Sequence, residues 1–228
     1  MPAPDGPVRV CLETGGRLSF ASALDWPGWS RSGRGEEAAV ERLRAYASRY
    51  APVVRAAGVE PPDPARVEIV ERLRGSATTD FGVPEAIAEV EREPVTAGEF
   101  ERLVGLMAAG WETFDQVVAG APASLRKGPR GGGRDRDAIV DHVVGAEVEM
   151  YARKQGLRLP RPALDDLAAR AAARTSLANA LRATAGPEPN PAAGSKGWPP
   201  RYAIRRIAWH VLDHAWEVED RSDPAPGA

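Results

Sequence analysis

The spacing of apolar residues in the second half of the chain constrains the fold most. From residue 96 onward, apolar residues recur at steps of three and four, which is the periodicity of an amphipathic helix. A T-x-x-E capping box at Thr96 and Glu99 marks the start of the first helix. We expect the other helices at about 135–155, 163–185 and 201–222. Four helices of this length, the last preceded by a long Pro- and Gly-rich connection at 186–200, predict a four-helix bundle.

The first half of the chain has the pattern of a small α+β unit. Residues 8–13 and 18–24 are short β-type runs separated by the turn sequence TGG, which predicts a hairpin. A helical pattern runs from Glu36 to Ala57, and residues 66–73 return to a strand pattern. This order predicts one helix packed on an antiparallel sheet.

The change of pattern divides the chain into two domains. We expect an α+β fold class with a small module at 7–74, a connector at 75–95 and a helical domain at 96–222.

Composition limits the classes of function. The net charge is −2, there is no basic patch, and no apolar run reaches the length of a membrane span. We therefore expect neither nucleic-acid binding nor membrane insertion. The chain starts without a signal-peptide pattern, and its single cysteine, Cys11, excludes an internal disulfide. These features predict a cytoplasmic location and a core position for Cys11.

Two of the three histidines lie four residues apart on the last predicted helix. At this spacing His210 and His214 share one helix face. They lie between an apolar stripe and a polar side that includes Arg206 and Asp213, at the expected border of core and solvent. The third histidine, His142, lies on the second predicted helix beside alanines that leave space around its ring. Because facing helices of a bundle can supply ligands to one site, the three imidazoles predict an open divalent-metal site.

Two glutamates are candidate catalytic residues. We expect Glu149 and Glu217 on the inner faces of their helices, where they would orient the metal ligands or accept protons. The alternative is that both are solvated at helix ends. The pair His210 and His214 forms H-V-L-D-H rather than H-E-x-x-H, so the general base of a zincin protease is absent.

A family resemblance rests on these histidines. The histidine of the second helix, the H-x-x-x-H of the fourth and the four-helix layout resemble the DinB/YfiT-like family of metal-binding bundles over residues 96–222. The resemblance implies that His142, His210 and His214 bind a divalent ion such as Zn²⁺ or Ni²⁺, and that the protein forms a homodimer. It also implies a thiol-dependent transferase or isomerase that acts on a small-molecule substrate with a low-molecular-weight thiol such as mycothiol or bacillithiol.

The first half has a resemblance of its own. The segment ALDWPGWSRSGRGEEAAVERLRAYA is similar to the HicB-type antitoxin fold over residues 7–74. In that fold a hairpin leads through a D-x-P-G turn into a G-x-x-x-E-A helix start. The matching residues here are Asp25, Pro27, Gly28, Gly33, Glu37 and Ala38. Since no DNA-binding tail follows, we expect a small α+β module rather than an active antitoxin.

Three hypotheses about function remain open from the residues. In the first, the chain is an enzyme in which the ion lowers the pKa of a bound water or thiol, giving a transferase, an isomerase or a hydrolase. In the second, the metal is structural or absent, and the chain is a non-catalytic regulatory or protein-interaction protein. In the third, the helical domain binds no metal at all.

Overall fold

Four strands form one sheet in the first half of the chain. The computed structural model describes residues 6–127, 133–185, 194 and 196–222. The sheet has the order β3-β2-β1-β4. Its strands are β1 (Val8–Thr14), β2 (Ser19–Ala23), β3 (Ser30–Gly33) and β4 (Val67–Arg74). The β1–β2 hairpin and the α+β class are confirmed.

The sheet is mixed, so the prediction of an antiparallel sheet is wrong. The predicted helix divides at Tyr46 into α1 (Glu36–Ala45) and α2 (Ala47–Ala56). These helices connect β3 to β4, which pairs with β1 in parallel. Because this connection contains helices, it is long enough to carry the chain from β3 to the opposite edge of the sheet. There β4 lies beside β1 and runs in the same direction.

The connector is hydrogen-bonded to the β1–β2 turn. It contains α3 (Ala77–Phe81) and a 3₁₀ turn (Glu89–Arg92). The Asp80 carboxylate accepts hydrogen bonds from the backbone amides of Gly16, Arg17 and Leu18 at 3.0, 2.7 and 3.0 Å. These hydrogen bonds favour the ionised carboxylate and lower the pKa of Asp80. The connector thus holds the hairpin turn through one side chain.

Helical segments make up the second half. They are α4 (Ala97–Gly120), α5 (Arg136–Gly145), a π-helical segment (Ala146–Tyr151), α6 (Ala152–Lys154), α7 (Leu167–Ala183) and α8 (Pro200–Ser222). The Thr96 hydroxyl accepts a hydrogen bond from the Glu99 amide at 3.2 Å, so α4 begins where the sequence predicts. Most of the predicted connection 186–200 lies outside the described residues.

The helix α8 is the central element of the molecule, because sixteen of its 23 residues are buried. Ile204, Ile207 and Val211 pack into the core of the helical half. Leu212 and Trp216 instead join the core of the first half, together with residues of the sheet. One helix therefore belongs to both cores.

The turn after β2 fits closely against α8. Trp26 and Trp29 of this turn are buried in the core that Leu212 joins. Between them, Gly28 adopts φ +95°, and a Cβ atom at this position would overlap the Leu212 side chain. Only glycine adopts this positive φ readily and also lacks the Cβ atom that would overlap Leu212.

The position of Cys11 and the character of the helices bear on two expectations from composition. Cys11 is buried in the sheet, as predicted, and burial raises the pKa of its thiol to about 12. Among the helices of the described residues, none combines the length and the apolar character needed to cross a bilayer.

Candidate metal centre

Three histidines from two helices meet at one place. His142 lies on α5, and His210 and His214 lie one turn apart on α8. The Nε2 atoms of His142 and His210 are 3.1 Å apart. The ring centroid of His214 is 5.0 Å from that of His142 and 4.7 Å from that of His210. One nitrogen of each ring lies within 4.8 Å of the others, so the three histidines are close enough to hold a metal ion.

The donor set suits a divalent transition metal. Zinc–imidazole bonds of about 2.0–2.1 Å in a tetrahedral site place two nitrogens roughly 3.4 Å apart. The 3.1 Å separation between His142 and His210 is near that value. Imidazole nitrogens suit Zn²⁺, Ni²⁺, Cu²⁺ and Fe²⁺, so the residues present fit the predicted class of ion.

Burial keeps two of the rings neutral. It lowers the pKa of His142 to about 4, and the neighbouring His214 adds to the shift. It also lowers the pKa of His210 well below its ordinary value. At pH 7 both rings are uncharged, as metal binding requires.

Glu217 orients the third ring. The Nδ1–H of His214 donates a hydrogen bond to Glu217 Oε2 at 2.8 Å, and Arg221 Nη1 donates to Oε1 at 2.7 Å. The hydrogen bond from His214 is the main cause of the lowered pKa of Glu217. An ionised carboxylate in this position selects the tautomer of His214 with its proton on Nδ1, which leaves Nε2 free as a ligand.

Glu149 does not lie on the inner face of its helix, contrary to the prediction. Its side chain is 51 % exposed and accepts a hydrogen bond from Arg161 Nη1 at 2.7 Å. The prediction assumed an uninterrupted α-helix, but the π-helical segment has wider turns and changes the face of every later residue. Glu147 takes the buried position, where it pairs with Arg174 at 3.1 Å.

A groove opens beside His142. It has a volume of about 520 Å³, and Ala138, Gly145 and Ala146 line it next to the imidazole. The small side chains leave space around the ring, as the sequence predicts. Met150 and four charged side chains line the rest of the groove; the charged ones are Arg134, Asp141, Glu149 and Arg161. The groove is large enough for a small molecule to reach the edge of His142.

Arg206 lies one turn before His210 and is buried, although its helical position predicts the solvent side. Only 7 % of the residue is exposed, and the guanidinium carbon lies 4.5 Å from the centroid of the Trp209 ring. Asp213, also predicted on the polar side, is half-buried and pairs with Arg31 at 2.9 Å. The sequence around Arg206 and Asp213 does not predict that their side chains are shielded from solvent, because residues of other elements contribute to this shielding.

The comparisons with known proteins do not supply an identity for this site. No protein-family model, no curated protein and no solved structure matches the chain. The interpretation of the site therefore depends on its own geometry and chemistry.

Proposed function

We propose that the chain is a divalent-metal-dependent enzyme of the DinB-like type, with His142, His210 and His214 as the ligands of the ion. The observation that carries the proposal is the 3.1 Å approach of Nε2 of the half-buried His142 to Nε2 of the buried His210, with a third ring beside them. Zn²⁺ and Ni²⁺ are our preferred ions, since both bind imidazole well. Three protein ligands leave positions open for exchangeable ones, as in catalytic rather than structural zinc sites.

The proposed chemistry is a thiol-dependent S-transfer or isomerisation, or a hydrolysis, on a small-molecule substrate. A divalent ion in such a site lowers the pKa of a bound water or thiol and so supplies a nucleophile at neutral pH. Burial keeps His142 and His210 neutral, and Glu217 holds His214 in one tautomer. The groove beside His142 gives the substrate a route to the centre.

The roles of the two glutamates differ in this proposal. Glu217 touches His214 and acts first as a positioning residue, and its ionised carboxylate can also accept a proton. Glu149 lines the groove and reaches the substrate only if it leaves Arg161. The choice of a low-molecular-weight thiol, the homodimer and the HicB-like nature of the first half come from the family resemblances alone.

Metal analysis followed by an activity screen tests the proposal. Full-length wild type, His142→Ala and His210→Ala are dialysed against Zn²⁺ or Ni²⁺, and bound metal is measured by elemental analysis. We expect about one ion per wild-type chain and a large loss in both variants, while Glu149→Gln serves as a control with unchanged metal content. Equal metal content in all four proteins would remove the site.

The metal-loaded proteins are then assayed for thiol transfer to an electrophile and for ester hydrolysis. Activity in wild type that is lost in His210→Ala supports the enzyme. Metal binding without activity across a broad panel of thiols and electrophiles would favour the non-catalytic alternative.

A further inference from the structure

Arg206 differs from every other buried arginine of the described residues. Six arginines are buried there, and five form an ion pair with an acidic side chain. The pairs are Arg102–Glu99, Arg170–Asp115, Arg174–Glu147, Arg201–Asp25 and Arg205–Glu91. Arg206 forms neither an ion pair nor a hydrogen bond with any described residue, and its Nη1 atom is buried without a partner. A buried charge without an anionic partner is costly, and a ligand of opposite charge would offset that cost.

The surroundings of Arg206 contain buried polar atoms without hydrogen-bond partners. Its guanidinium stacks over Trp209 at 4.5 Å and lies 6.0 Å from the ring centroid of Tyr151. Within the described part of the chain, Trp209 Nε1 and His210 Nδ1 are also buried without partners, and the Tyr151 hydroxyl makes no hydrogen bond. Unpaired donors around a positive charge are complementary to the oxygens of an anion.

This donor-rich region adjoins the histidine centre. Arg206 and His210 are four residues apart on α8 and therefore share one helix face. The Tyr151 ring lies 5.6 Å from the His210 ring, centroid to centroid, so Tyr151 contacts both the guanidinium and a predicted metal ligand. A small molecule bound by Arg206 would therefore extend towards the three histidines.

We propose that Arg206, together with Tyr151, binds the carboxylate of a small acidic substrate beside the histidine centre. One guanidinium neutralises one negative charge, and its planar fork matches the two oxygens of a carboxylate. A phosphate dianion would leave one charge uncompensated in this buried position. The identification of this anion as part of the substrate rests on the proposed function, whereas the anion site itself needs no metal.

Thermal unfolding of the full chain tests the anion site. The melting temperature, Tm, is measured at constant ionic strength with acetate, its uncharged analogue acetamide, or inorganic phosphate, on both metal-free and Zn²⁺-loaded protein. We expect 100 mM acetate to raise the Tm of wild type by a few degrees in both forms, and acetamide to leave it unchanged, because ligand binding stabilises the native state. Arg206→Met should abolish the acetate shift, and Tyr151→Phe should reduce it.

A matched control and a second variant keep the result decisive. Arg44→Met removes an exposed arginine of α1 and should keep the full acetate shift. Without acetate, Arg206→Met should melt above wild type, since it removes an unpaired buried charge; a lower Tm together with a retained acetate shift would assign Arg206 to packing and overturn the proposal. If Arg206→Met does not fold, Arg206→Lys keeps the charge without the planar fork and should at least halve the shift.

The remaining outcomes separate this inference from the proposed function. An acetate shift retained in both Arg206 variants, or matched by acetamide, overturns the site. A larger shift with phosphate than with acetate overturns the carboxylate assignment. If Zn²⁺ does not bind but the acetate shift persists, only the metal proposal fails; if Zn²⁺ binds and acetate has no effect, only this inference fails.

Discussion

Replacement of Glu217 by glutamine tests how strongly the carboxylate supports the proposed metal centre. Glu217 accepts one hydrogen bond from His214 at 2.8 Å and one from Arg221 at 2.7 Å. Glutamine keeps the shape and one acceptor oxygen but removes the negative charge. Loss of a carboxylate behind a metal-binding histidine typically lowers metal affinity by about 10- to 100-fold.

The structure places the expected loss for Glu217→Gln at the lower end of that range. The Glu217 side chain is 34 % exposed, so solvent screens part of its charge. The amide oxygen can still accept from His214 Nδ1. We therefore expect about a tenfold weaker Zn²⁺ affinity, or about 1.4 kcal/mol. Glu217→Ala also removes the acceptor, and its loss should be nearer to 100-fold.

A competition titration measures these affinities. Each protein competes at pH 7.5 with a chromophoric chelator for Zn²⁺, and the dissociation constant follows from the fraction of chelator bound. Glu149→Gln is the matched control, because Glu149 pairs with Arg161 and contacts none of the three histidines by a hydrogen bond in the described residues. Wild-type affinity in Glu217→Gln, or an equal loss in Glu149→Gln, would refute the reasoning.

Three further predictions concern the stability and local order of the protein. In the folded protein the pKa of His142 is about 4, below the usual 6.5. As the pH falls from 6.5 to 4, this residue therefore binds a proton in the unfolded chain before it does so in the folded protein. The metal-free protein should lose stability over this range. For His142 alone the upper limit is about 3 kcal/mol, which partial exposure reduces to about 1–2 kcal/mol. Urea unfolding at pH 7 and 4 should show a smaller loss in His142→Asn than in wild type, but not its disappearance, because burial lowers the pKa of His210 as well. Gly28→Ala should cost more than Gly35→Ala. Backbone strain at φ +95° and +89° costs about 1–3 kcal/mol at either position, and overlap with Leu212 adds about 1–3 kcal/mol at position 28 alone. Equal losses in urea unfolding of the two glycine variants would contradict this account. Asp80→Ala should speed hydrogen exchange of the amides at 16–18, and unchanged exchange would show that the carboxylate does not hold the turn.

Local patterns were sufficient for most of the helices and strands and for the meeting of the histidines, but not for the division of the first helix at Tyr46 or for the π-helical segment. The period of apolar residues predicts the helices of the second half, since it depends only on which side of each helix is buried. The spacing of His210 and His214 places them on one face regardless of context. The position of His142 opposite them followed from the expectation that the helices pack together, and the structure confirms the proximity of all three.

Features that depend on neighbouring elements could not be predicted in the same way. The direction of β4 is set by the helices that precede it rather than by its own residues. The outward position of Glu149 follows from a π-helical segment that leaves no mark in the helical period. The burial of Arg206 depends in part on Tyr151 of the π-helical segment, whose ring centroid lies 6.0 Å from the guanidinium carbon. In each case a pattern along one segment lacks the information that its neighbours supply.

The membership of α8 in both cores has a consequence for dissecting the protein. Leu212 and Trp216 lie on the same helix as His210 and His214, and they pack against the sheet. Expression of the helical half alone would leave these two apolar side chains facing water and invite aggregation. The chain is thus expected to tolerate neither truncation at the connector nor exchange of its first half for an unrelated domain, even though sequence patterns suggest a modular boundary there.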